Sequence, residues 1–334
     1  MKNRNAVLCL AVLGLCQLTA AFGDRFAGLR DRVLNGQNNN GQNDPTTTTA
    51  EPASGRIIGG PPVVNHCTAP FNSMVALQVD AGSSTKLTYC TGTLVSPDTV
   101  VTAALCLIPF QDFPADVVKV IVGDRELNLP DRGEQMLSID SFVIHPEFDG
   151  ISGDNNIAVV KLRTPAVLGP CVQPMERYTS MPDVCESSIM TCRIAGWGAY
   201  SVDTAVNNSQ PARYGDIRVF DDTFTRLVQS TKYQGLVSGP SAIMIPLPVH
   251  SVIGEAFEGS RIAACIYDWG SMVACNMGGT YKLRGVVANA NCDIASLLVG
   301  TSASQIPMYI TKIDSYQSWL DVCIANYANC ATAM

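Results

Sequence analysis

Short runs of β-branched and aromatic residues, separated by turn-forming residues, recur along most of this chain and leave little room for helix. They fall at 74–79, 99–104, 118–122, 157–162, 190–194, 213–220, 282–287 and 307–313. Many short strands at such spacing predict an all-β barrel or sandwich. One closing helix is expected at 315–328, where Tyr316, Leu320, Cys323 and Ile324 fall at helical spacing. Residues 57–334, 278 in number, suit one large all-β domain or two packed barrels.

The first 56 residues read differently. Lys2 and Arg4 precede an apolar run from Ala6 to Cys16, and Ala21-Phe-Gly23 offers a small-residue cleavage site, so residues 1–23 are expected to be a secretory signal. Residues 24–56 read as a polar pro-segment; its stretch from Asn35 to Ala50 is built from Asn, Gln and Thr and is expected to be disordered. Two of the 13 cysteines, Cys9 and Cys16, lie in the signal, and the remaining eleven suit an oxidising compartment and a disulfide framework. Net charge is −7, and losing Lys2 and Arg4 with the signal makes it −9. A balance so acidic argues against nucleic acid or an anionic membrane as the main partner. Asn207-Asn-Ser209 is a glycosylation sequon, in keeping with a secreted glycoprotein.

The segments that carry chemistry lie among the predicted strands. Cys265-Ile-Tyr-Asp-Trp-Gly-Ser-Met-Val-Ala-Cys275 resembles the CxGDSGGPxxC block of the trypsin/chymotrypsin (S1) family of serine proteases. The two cysteines keep the family separation, so Trp269 stands in the nucleophile position. Thr102-Ala-Ala-Leu-Cys106 resembles TAAHC, with Leu105 in the general-base position, and Asn155-Asn-Ile-Ala-Val-Val-Lys-Leu162 resembles NDIALLKL, with Asn156 in the position of the orienting aspartate. The family chemistry needs a nucleophilic oxygen, a base for its proton and an anion to hold that base. Trp, Leu and Asn supply none of these. Tyr267 takes the oxyanion-hole glycine position, where a side chain restricts a backbone that glycine leaves free. The resemblance covers roughly 57–325 and implies two six-stranded antiparallel barrels of the chymotrypsin type with a C-terminal helix. It also implies disulfides Cys90–Cys106, Cys192–Cys275 and Cys265–Cys292. Cys67, Cys171, Cys185, Cys323 and Cys330 stay unassigned; five is odd, so one thiol is buried and inert or bridges to another chain.

Other family features are present. Arg56-Ile-Ile-Gly-Gly60 resembles the activation site of family zymogens, where cleavage frees an ammonium that pairs with the aspartate before the nucleophile. The resemblance implies cleavage after Arg56 by a trypsin-like protease and an ion pair between Ile57 and Asp268. Inheritance is the plainer alternative, because removing one member of a buried pair is costly. The substrate pocket is altered: its floor is Ala263, its wall is Met308, and the backbone-binding edge is Ala288-Asn-Ala290. Met308 and Trp269 are expected to fill it. The regions 198–261 and 293–305 are longer than is usual in the family, and loops on a rigid scaffold commonly carry recognition.

The expected function is a secreted, non-catalytic protease homologue, a pseudoprotease, acting as regulator, cofactor or decoy in an extracellular proteolytic pathway. Its partner would be a protease, zymogen or inhibitor. Two alternatives stand beside it: an enzyme with unusual hydrolytic chemistry, and a structural or carrier protein indifferent to cleavage. No cysteine falls in the nucleophile position and no His–carboxylate pair is visible by spacing among His66, His145 and His250. With no CxxC or HExxH signature, neither metal nor cofactor is expected.

Overall fold

In a computed structural model, twelve strands form two closed antiparallel barrels. The structure describes residues 57, 59–80, 86–127, 129–180, 189–198, 211–238, 246–260, 262–264, 267–289 and 306–332. The first barrel contains β1 (Met74–Asp80), β2 (Lys86–Ser96), β3 (Thr99–Thr102), β4 (Val118–Val122), β5 (Gln135–Ile144) and β6 (Ala158–Leu162), paired in the order β1-β2-β3-β6-β5-β4. The second contains β7 (Ile189–Gly196), β8 (Arg213–Phe220), β9 (Ser251–Ala256), β10 (Met272–Met277), β11 (Thr280–Val287) and β12 (Met308–Lys312), in the order β10-β11-β12-β9-β8-β7. The expected architecture of two six-stranded barrels with a C-terminal helix is therefore the observed one.

Alternation along each strand builds the cores. Val75, Leu77 and Val79 on β1 face Val118, Val120 and Val122 on β4 inside the first barrel, as a period of two requires. Ile194, Ile217, Val252, Val273 and Ile310 fill the second. The opposite faces of several of these strands meet between the barrels, where Ala76, Ile121, Ala195, Trp197, Ala274 and Val286 share one buried cluster with Trp319 and Leu320. Those last two lie on the C-terminal helix, labelled α3 below (Gln317–Ala325), flanked by 3-10 turns at Asp314–Tyr316 and Tyr327–Thr332. A disulfide from Cys323 to Cys330 folds the final turn back, and Trp319 Nε1 donates to Cys330 O at 3.0 Å.

Two helices lie in the long region between β7 and β10. Asp221 caps α1 (Asp222–Thr231) by accepting the Phe224 N–H at 2.7 Å. The short α2 (Gln234–Val237) follows. The buried carboxylate of Glu255 on β9 ties this region down: it accepts from Arg218 (3.1 Å), Lys232 (3.0 Å) and the Tyr233 hydroxyl (2.5 Å). Among the described residues, no helix is long and apolar enough to cross a membrane.

Among the described residues, the disulfides are Cys67–Cys171, Cys90–Cys106, Cys192–Cys275 and Cys323–Cys330. Four of the five cysteines left open by sequence are thereby paired with one another. The fifth, Cys185, lies outside the described residues, as do Cys265, Cys292, Asn207, Arg56, Ala290 and the stretches 1–56 and 293–305.

Candidate functional site: the cleft between the barrels

The site is assembled from three turns. The first follows β3, where a 3-10 turn (Ala104–Cys106) carries Leu105. The second precedes β6 and carries Asn156. The third precedes β10 and carries Tyr267, Asp268 and Trp269. All three meet, since the buried amide of Asn156 accepts the Leu105 N–H at 3.1 Å while Cys106 Sγ lies 3.5 Å from Trp269 O.

Asn156 is the strut of this junction. Its Oδ1 takes the Leu105 N–H, and its Nδ2 donates to Ala288 O at 3.3 Å across the cleft. A carboxylate has no proton to give to that carbonyl, so the second contact depends on the amide. The neighbours of Asn156 reach other elements. Asn155, at a positive φ of 54°, donates through Nδ2 to Glu147 O (2.9 Å) and accepts the Tyr316 hydroxyl proton (3.1 Å). Asp154 accepts the backbone N–H of His250 at 3.0 Å and lies 3.1 Å from its Nδ1. Three consecutive residues thus fasten the first barrel to the second barrel and to the start of α3.

His250–Asp154 is a His–carboxylate pair that spacing did not reveal, since 96 residues separate its members. The His250 side chain is 39 % exposed and that of Asp154 17 %. His145 packs edge-on against Tyr316 and Trp319, and burial lowers its pKa below the ordinary histidine value. His66 lies away from the cleft, with Nε2 3.0 Å from Arg132 O. It also neighbours the Cys67–Cys171 bridge, and His66, Cys67 and Cys171 bring their donor atoms within 4.8 Å. With both sulfurs in a disulfide, no thiolate is there to bind a metal.

In the third turn, Tyr267 keeps a positive φ of 72°, so the turn has a shape that glycine adopts freely and tyrosine adopts at a cost of about 1–2 kcal/mol. The ring is 7 % exposed and sits in the first-barrel core cluster with Cys90, Cys106 and Tyr89. Trp269 packs against the same cluster, edge-on to Tyr267 with centroids 6.4 Å apart. Its carbonyl accepts the Thr91 N–H at 3.1 Å. Gly270 follows at φ +75°, and a Cβ there would stand 2.3 Å from Thr91 O, so only glycine fits. Ser271 is fully buried, with its hydroxyl against Gly196, which makes it a packing residue.

Asp268 is fully buried and accepts the Gly198 N–H at 3.0 Å. A Cβ on Gly198 would lie within 2.5 Å of both carboxylate oxygens, so the bare glycine backbone forms the cradle. Ile57 is 0 % exposed in the uncut chain, at φ +41°, in the second-barrel cluster that also contains Met190, Ile194 and Met308. Ala263 and Met308 are buried, so neither presents a group to a substrate side chain. Ala288 donates its N–H to Tyr309 O at 2.9 Å.

A cluster of acids outside the cleft was not singled out by sequence. Asp124, in the β4–β5 loop, has one carboxylate oxygen on the Glu126 N–H (2.8 Å) and the other buried without a hydrogen-bond partner among the described residues. Burial, then the negative charges of Glu134 and Asp131, push its pKa up to about 7. The oxygens are of the type hard cations take, although Asp131 is already engaged by two backbone N–H groups and by the Arg125 guanidinium.

Comparison with known proteins agrees with this geometry. Residues 57–320 match the family described as Trypsin. The chain is similar to bovine chymotrypsin-like elastase family member 1, with 28 % identity over 81 % of this chain and 90 % of that protein. It is similar to Salmo salar trypsin-1 at 26 % over 72 % and 82 %, and to pig trypsin at 25 % over 81 % and 96 %. With two barrels, the intervening cleft and this match over most of its length, the chain belongs to the trypsin family.

Proposed function

We propose that this protein is a secreted, non-catalytic member of its family, a pseudoprotease that acts as a regulator, cofactor or decoy in an extracellular proteolytic pathway. The observation that carries the reading is the chemistry of the three turns. Leu105, Asn156 and Trp269 meet there, and among the described residues these three positions supply no nucleophilic oxygen, no base and no anion to orient one; the Asn156 amide is engaged in hydrogen bonds and Trp269 packs against the first-barrel core. The buried Ala263 and Met308 support the same reading for substrate selection. The disulfides are consistent with secretion. Partners of the expected kind are a protease, a zymogen or an inhibitor, with a trypsin-like protease cutting after Arg56.

The test joins two assays on uncut protein and on protein cut after Arg56. Neither form is expected to hydrolyse peptide substrates or to react with a fluorophosphonate probe. The cut form is expected to capture a protease or inhibitor from the native secretion. Inhibitor-sensitive hydrolysis by pure cut protein would sink the proposal.

One observation favours a second reading, a structural or carrier protein independent of cleavage. Ile57 is fully buried while still joined to residue 56. If Arg56→Ala protein captures the same partner as cut protein, the second reading replaces the first.

A further inference from the structure

We infer that the two aromatic side chains beside the former nucleophile position, Tyr267 and Trp269, hold the cleft of this protein in its finished arrangement before any cut is made. Cleavage after Arg56 then releases the chain N-terminal to Ile57 and leaves the domain unchanged. The inference rests on the reading of the chain as non-catalytic and says what the expected cut does and does not do.

The argument starts from Ile57. Its nitrogen is a peptide amide in the uncut chain and bears no charge, so an ammonium–carboxylate pair with Asp268 does not exist there. Yet Asp268 is fully buried, with Oδ1 on the Gly198 N–H, and Ile57 is fully buried in the second-barrel core. Something other than that ion pair keeps residues 267–271 in place. The structure shows what does so on the side of the first barrel. The Tyr267 ring is a member of the first-barrel core and Trp269 packs against it. Trp269 O takes the Thr91 N–H from β2 at 3.1 Å. On the side of the second barrel, Gly270 donates to Val287 O at 2.9 Å and Ser271 O accepts the Val287 N–H at 2.9 Å. The segment is therefore stapled to both barrels by contacts that involve no terminal charge.

The strain agrees. Tyrosine at positive φ persists only when the surroundings over-determine it, and here the surroundings are the buried ring and its edge-on contact with Trp269. Small residues at both 267 and 269 would leave the turn with no side-chain anchor in the first barrel, only the backbone bond from Thr91 to Trp269 O.

The test compares the full uncut chain with the same protein cut after Arg56, using melting temperature and amide hydrogen exchange of residues 189–198 and 267–271. The expected result is unchanged protection and a Tm change on cutting within about 2 °C, no more than the ~2–4 °C by which 1 kcal/mol moves a domain of comparable size. A gain above about 5 °C, or new protection confined to these segments, would overturn the inference. Tyr267→Gly with Trp269→Ala should lose protection at 267–271 when uncut and recover it on cutting. If that variant does not fold, Asp268→Asn decides: it should lower Tm equally in both forms. A loss confined to the cut form means that the ion pair is the holding contact and the inference fails. These readouts involve neither hydrolysis nor partner capture, so the proposed function and this inference can fail separately.

Discussion

Asn156 shows how one atom changes the meaning of a position. In its place an aspartate would keep the Leu105 N–H contact, but its second oxygen would face Ala288 O, acceptor against acceptor, at a residue that is 1 % exposed. A buried acceptor left without a donor costs about 1–3 kcal/mol, and more when charged. Asn156→Asp is therefore expected to destabilise the fold by about 2–4 kcal/mol at pH 8, with the deficit shrinking towards pH 5 as the carboxyl gains a proton and can donate. The sign follows from burial, which raises a carboxyl pKa, so the variant loses stability as pH rises through that raised value. Urea unfolding at the two pH values measures it. An aspartate variant as stable as the parent at pH 8 would refute the strut.

At the scale of elements, the β4–β5 loop holds a pH dependence in the opposite sense to most carboxylates. Asp124 has a pKa of about 7 in the fold against an ordinary value near 4. Between pH 4 and pH 7 the folded chain keeps a proton that the unfolded chain has lost, so this group's contribution is complete below about pH 4 and is lost as pH rises to 7. Asp124→Asn should remove that slope and stabilise the protein at pH 8, by about 2–4 kcal/mol on a shift of about three pH units, while changing little at pH 4. Thermal unfolding across this range checks it; an unchanged slope in the variant sends the explanation elsewhere. Elements also differ in how well the sequence announced them. Eight strands were legible from their apolar runs, and the two-barrel arrangement from the resemblance. The runs missed four strands: β2, whose threonines and glycine dilute its pattern, β5, whose face is only partly buried, β10, which was read only as part of a motif, and β9. They missed β9 because Glu255 reads as a solvated charge, whereas the fold buries it among Arg218, Lys232 and Tyr233. The helix α1, Thr-rich and weak in intrinsic propensity, gave no signal beyond its Asp cap. In the site, the flanking motifs set the register of positions 105, 156 and 269, and the structure brings the turns that carry them together. The His250–Asp154 pair was not, because contact between residues 96 apart belongs to the fold and not to any local pattern.

For the whole molecule, the proposed non-catalytic reading implies a loss of chemistry distributed over several positions, which separates a scaffold rebuilt for another purpose from an enzyme with a damaged triad. Were the triad the only difference, Leu105→His, Asn156→Asp and Trp269→Ser together would return peptide hydrolysis. The structure predicts otherwise. Met308 and Ala263, which the resemblance puts at the wall and floor of the substrate pocket, are buried, and Tyr267 anchors its turn through a ring buried in the opposite barrel. A missing oxyanion donor alone costs about 10²–10³ in kcat, and a filled pocket removes the binding that positions the scissile bond. The triple variant is expected to show no hydrolysis above background with a broad peptide library. Adding Tyr267→Gly and Met308→Gly should raise the rate at least tenfold if the variant retains native circular dichroism. Equal activity of the triple and quintuple variants, well above background, would place the entire loss in the triad. The same substitutions test why the aromatic residues are present. If they replaced the triad to hold the two barrels in one fixed relation, the quintuple variant should lose Tm even as it gains rate, because Tyr267 and Trp269, which it removes, pack the turn before β10 against the first barrel.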